Sequence, residues 1–210
     1  MIDTTYNNIS LKFGNKQITP KEKNFDKTKA IIGATIGTAI PLLFMLKKQQ
    51  IKNPFKLEYG LKDMLILSTS SITGGTIGGM YKENKDIKKN KLKEGVFQLL
   101  NSTLPSVCVA GILKLSNNQQ KFKNAPCKII SVILGIGIGM LTSIKLANKI
   151  FDPKNEYPDR KIGVKDFIAN SDDAIGALAL VKFPIINKLK IDKALPLIYG
   201  YCGYRAGNAE

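Results

Sequence analysis

The 210-residue chain has no histidine and no tryptophan, two arginines (Arg160 and Arg205) and three cysteines. Without histidine, the commonest general base and the histidine-assisted serine or cysteine nucleophile are both excluded. The usual zinc and haem ligand sets go with it, since Cys108, Cys127 and Cys202 show no Cys-x-x-Cys spacing. An odd cysteine count argues against a disulfide framework. Cys108 and Cys202 lie in apolar segments and are expected to pack as small hydrophobes. The phosphate-loop pattern GxxxxGK[ST] is also missing. Gly74-Gly75-Thr76-Ile77-Gly78-Gly79 follows no strand pattern, so a dinucleotide fingerprint is a poor reading of it. The sequence therefore gives no catalytic residue, no metal ligand set and no cofactor, and a non-enzymatic protein is expected.

The scarcity of arginine matters as much. The formal net charge is +16, yet 30 of the 32 basic residues are lysine. Bidentate recognition of phosphate and guanine favours arginine. Nor do aromatic residues interleave with the lysines as base-stacking platforms would. Nucleic acid is accordingly not the expected partner. The lysines fall between apolar runs, where they would meet lipid headgroups. The densest run, Lys82–Lys93, is expected to be a solvated loop or helical linker. The first 28 residues are polar, with Asn7, Asn8 and Lys12 where a secretory signal would need an apolar core, so no cleavable signal is expected. The first apolar run would act as an uncleaved signal-anchor.

Against these shortages stand four stretches with no charge at all: Ala30–Leu46, Met64–Tyr81, Gly95–Leu113 and Ile129–Ile144. Their lengths of 16 to 19 residues approach the roughly 17–25 that a bilayer core requires of a helix. The mean hydropathy of −0.05 conceals them because the lysines are packed between. Glycines recur four apart within them: Gly33 and Gly37, Gly74 and Gly78, Gly75 and Gly79, Gly135 and Gly139. Small residues at that spacing line one helix face and let two backbones approach. Gly95, at the edge of the third run, is expected to matter less. Pro41 and Pro105 lie inside runs and predict kinks with locally freed carbonyls. The hydroxyls of the second run, Ser68 to Thr76, are expected to bond to neighbouring carbonyls or across helices.

The expected fold is an all-α polytopic membrane bundle. It divides into a polar tail (1–28), a first helical half (29–115) and a second (116–210). Gly60-Leu61-Lys62-Asp63 recurs as Gly163-Val164-Lys165-Asp166, and the glycines of the first run match those of the fourth. Two three-helix repeats are one reading of this; chance matching among abundant Ile, Gly and Lys is the other. An odd number of spans per half would make the repeats inverted, as in many transporters. With six segments, basic residues divide 19 to 13 in favour of the side holding the N-terminal tail. That predicts a cytoplasmic N-terminus in a cell or inner membrane.

Beyond residue 165 the pattern weakens. Phe167–Val181 has helical period but contains Asp172 and Asp173, and Ala194–Tyr204 is short for a span. Asn170, Asp172 and Asp173 could line a polar path or pair with Arg205, since acids at membrane depth usually face a cavity or a partner. Alternatively, Asn170-Ser171-Asp172 caps a helix at the interface. The functional expectation is a small membrane protein of packing or assembly type, with the lipid bilayer and a second copy of itself as partners. Two other readings stay open: a transporter or channel built of inverted repeats, and a soluble basic helical protein on membrane surfaces or nucleic acid.

Overall fold

A computed structural model describes residues 20–117, 124–154, 175 and 191–208. The helices are α1 (Pro20–Lys48), α2 (Leu61–Met80), α3 (Lys85–Asn117), α4 (Ala125–Phe151) and α5 (Leu195–Gly207). Short 3-10 turns occupy Pro54–Lys56 and Ile191–Ala194, and the described residues contain no strand.

Local chemistry sets the boundaries. Proline stands in the first turn of α1, α4 and α5, as Pro20, Pro126 and Pro196. There its fixed φ suits the helix and its missing N–H costs nothing. Asp63, in the first turn of α2, reaches back to accept the Gly60 N–H at 3.2 Å. Asn84 accepts the Ile87 N–H at 2.9 Å and starts α3. Between them the chain reverses in four residues. Tyr81 has φ −63° and ψ 123°, Lys82 has φ 61°, and the Glu83 N–H reaches the Met80 carbonyl at 3.2 Å. These are the angles of a type II turn, with lysine where glycine is usual.

α1 starts ten residues before the first charge-free run, so the helix includes polar sequence expected in the tail. Of the two forms expected for the Lys82–Lys93 run, loop or helical linker, it takes the helical one: Lys85–Lys93 forms the start of α3. Both helices continue through their internal prolines, Pro41 and Pro105.

Three helices are long and apolar enough to cross a membrane: Lys27–Lys48, Lys85–Ser116 and Pro126–Phe151. This corrects the expectation of four such segments. α2 is long enough, at about 30 Å for 20 residues, but its serines, threonines and glycines make it too polar. Its place in the bundle supplies the reason. α1, α3 and α5 all pack against it, and only a narrow strip including Ile66 and Ile77 is exposed.

Consecutive helices α1 to α4 run antiparallel. Gly33 and Gly37 of α1 lie against Gly74 and Ser70 of α2, Lys91 and Gly95 of α3 against Gly79 and Thr76 of α2, and Gly135 and Gly139 of α4 against Val109 and Pro105 of α3. α5 runs parallel to α2, with Gly203 beside Gly75 and Gly207 beside Gly79. One end of the bundle therefore gathers Lys27, Met80, Lys85, Phe151 and Gly207. The other gathers Lys48, Leu61, Asn117, Ala125 and Leu195.

The exterior is apolar. Ile32, Ile36, Leu43 and Phe44 on α1 are 53–71% exposed, and Ile130, Ile133, Leu134 and Leu141 on α4 are 54–63% exposed. Soluble monomers rarely expose continuous apolar patches beyond a few hundred Å². With the three spanning-length helices, this makes the chain a membrane protein.

Candidate functional site

The bundle is organised around α2, whose glycines face two helices at once. On one side, a methyl group added at Gly33 would overlap the Gly74 carbonyl, and one at Gly37 would overlap that of Ser70. The fit is mutual: a methyl at Gly74 would overlap the Gly33 carbonyl, and one at Gly78 would lie 2.5 Å from the Lys29 carbonyl oxygen. On the other side, Gly75 faces the backbone of Gly203 and Gly79 that of Gly207. Adjacent residues on a helix point about 100° apart. The doubled Gly74-Gly75 and Gly78-Gly79 thus give α2 two flat strips, one toward α1 and one toward α5. The α5 pair, Gly203 and Gly207, has the same four-residue spacing, and that spacing alone could have flagged it.

A hydrogen-bonded chain crosses the three helices at the same level. Thr38 Oγ1 of α1 lies 2.9 Å from Ser71 Oγ of α2 and 2.8 Å from its own helix's Ala34 carbonyl. Ser71 in turn donates to the Tyr199 carbonyl of α5 at 2.7 Å. Thr38 is 9% exposed, Ser71 0% and Tyr199 1%. Such hydroxyls satisfy themselves without a charge at membrane depth.

Two lysines clasp the C-terminal end of α2, where four carbonyls lack intrahelical donors. Lys91 Nζ of α3 donates to the Gly79 carbonyl at 2.9 Å, and its side chain is buried. Lys29 Nζ of α1 donates to the Tyr81 carbonyl at 2.8 Å and stands 3.6 Å from Glu83. Cations are favoured at helix C-termini. Burial of Lys91 departs from the solvated run expected of Lys82–Lys93; its position seven residues into α3 turns it toward α2.

The seam between α3 and α4 uses the remaining glycines. A methyl at Gly135 would lie 2.6 Å from Val109 Cα, and one at Gly139 would overlap Pro105 Cα. Gly95, expected to matter less than Gly75 and Gly79, also has a neighbour, but it meets a side chain and not backbone. A methyl there would lie 2.5 Å from Thr76 Oγ1, because α3 leans on α2 at that level.

Arg205 stands in the last turn of α5. Asn170, Asp172 and Asp173 lie outside the described residues, as do Asp166 and most of Phe167–Val181. Among the described residues no group of three or more His, Cys, Asp or Glu could hold a metal ion. Cys108, Cys127 and Cys202 are free thiols, and Cys202 packs with Ile72 and Ala206.

No protein-family model, no curated protein and no solved structure matches the chain.

Proposed function

We propose that the protein is a small non-enzymatic integral membrane protein whose helices form a closely packed assembly unit. The observation behind this reading is the contact of α2 with α1 and α5 through facing glycines, inside a bundle with an apolar exterior. Lipid provides no hydrophobic drive between helices, so backbone approach and interhelical hydrogen bonds hold such a unit together. The bilayer is its first partner, and self-association is the expected mode of assembly. The lysines at both ends of the bundle would sit among anionic headgroups. The basic excess on the side of the N-terminal tail favours a cytoplasmic N-terminus in a cell or inner membrane. Membranes carrying the protein should retain it through alkaline carbonate and release it only to detergent. Release by carbonate or high salt would replace this reading with a basic peripheral protein.

A transporter or channel of inverted repeats is the second reading. α4 runs opposite to α1 and α5 opposite to α3, as halves related by an axis in the membrane plane require. The glycine pairs matched in sequence fall on α1 and α4. Single cysteines placed at Asp63 and at Asp166 should then react with an impermeant maleimide from opposite sides. Reaction from the same side ends this alternative and leaves the first reading intact.

A further inference from the structure

Most buried serine and threonine hydroxyls on the described helices have a carbonyl in reach. Ser68 bonds to Leu65, Ser71 to Tyr199, Thr76 to Ile72, Ser131 to Cys127 and Ser143 to Leu100, and Thr38 lies within reach of Ala34. Ser102 Oγ, in a side chain 8% exposed, has no partner among the described residues. Its neighbour Asn101 is 2% exposed, and its Oδ1 has none either. A third oxygen joins them. Pro105 has no N–H, so the main-chain carbonyl of Asn101, four residues earlier, loses its intrahelical donor. Two buried side-chain oxygens without a partner and a carbonyl that lacks its α-helical donor thus belong to two consecutive residues inside α3, about 9 Å along the helix from Gly95.

An unsatisfied polar group in a buried site is costly. All three atoms carry lone pairs, and only Ser102 can also donate. We infer that a water molecule is bound at this proline break. It donates its two protons to Asn101 Oδ1 and the Asn101 carbonyl and accepts one from the Ser102 hydroxyl. That inventory closes with no atom left over, and about three hydrogen bonds is the usual complement of a buried water. A hard cation would need about six or more oxygens, roughly twice what the break offers. Waters commonly satisfy backbone freed by proline in membrane helices. α4 covers the break, with Gly139 against Pro105 and Ser143 bonded to the Leu100 carbonyl at 2.9 Å. The water is therefore a fixed part of the α3–α4 seam and independent of what the bundle does.

Radiolytic hydroxyl-radical footprinting of the full chain in detergent, in ¹⁸O water, tests this. Radicals formed from a bound water should label Pro105 or Leu104 several-fold above Val109, which is one turn on and buried at 2%. In N101L the label should fall to the Val109 level; should that variant not fold, S102A carries the same expectation. Wild-type Pro105 and Leu104 labelled no more than Val109 would overturn the inference. So would labelling undiminished in the folded variant.

Discussion

Ser71 Oγ donates to the carbonyl oxygen of Tyr199 at 2.7 Å, joining residues 128 apart in sequence. The bond fixes the level at which α5 lies along α2. A methyl at Gly203 would overlap the Ser71 carbonyl, so the same residue sets both the spacing and the register of the two helices. The hydroxyl also receives Thr38, which extends the tie to α1.

Replacing Ser71 with alanine should loosen this three-helix contact without disturbing the fold. Interhelical hydrogen bonds in membranes average about 0.6 kcal/mol and reach about 1.7. The Ser71→Ala loss should fall in that range, measured by denaturant unfolding in mixed micelles. Thr38→Val should add little to it, because the two hydroxyls belong to one chain and their effects are not additive. Fully additive losses would show that the chain does not act as a unit.

Glycine substitutions divide the helices more sharply. Gly75→Ala and Gly79→Ala place a methyl against main-chain carbonyls of α5, which cannot rotate away. Overpacking of this kind typically costs about 1–3 kcal/mol. Gly111 and Gly137 meet nothing within 4 Å. Alanine there should be neutral or stabilising, because it removes the helix penalty of glycine, about 1 kcal/mol in water. Thermal unfolding in detergent should rank the four variants in two separate pairs, and a uniform response would contradict the close packing of α2 on α5.

Lys91 makes a different prediction from its neighbours. Its ammonium group supplies a donor to the Gly79 carbonyl at the buried end of α2. Hydrogen bonds involving a charged group contribute about 1.5–3 kcal/mol, so Lys91→Met should destabilise by about that amount. Lys89 is exposed, and Lys89→Met should stay within about 0.5 kcal/mol of wild type. Equal effects from the two substitutions would remove Lys91 from the clasp.

The legible part of this fold was the part governed by spacing along one helix. Charge-free runs located α1, α2, α3 and α4. What the sequence could not show was which helix each face would meet. Lys91 sits in a run of twelve mostly charged residues, and only the turn at Lys82 aims it at α2. Gly95 looks peripheral until α3 is laid against Thr76. α2 has the length of a span but too many hydroxyls for one, and its enclosure by three neighbours is a property of the bundle. Asn101 and Pro105 are four residues apart, so the freed carbonyl was predictable; the burial of the Asn101 and Ser102 side chains beside it was not.

The antiparallel course of α1 to α4 fixes which loops share a membrane face. Lys85 at the start of α3 and Lys154 after α4 belong to one end of the bundle, and Lys52 between α1 and α2 belongs to the other. All three are exposed, so cysteine can replace each with little effect on packing. In a background with Cys108, Cys127 and Cys202 changed to alanine, an impermeant maleimide applied to sealed vesicles should treat positions 85 and 154 alike and position 52 oppositely. The absolute side tests the proposed orientation: with a cytoplasmic N-terminus, position 52 labels from outside intact cells and the other two only after lysis. A mixed pattern at every position would indicate insertion in both directions, which the narrow 19 to 13 division of basic residues makes the natural competitor. Labelling of all three from the cytoplasmic side would mean that α1 does not cross, and the bundle would then lie on the membrane instead of within it.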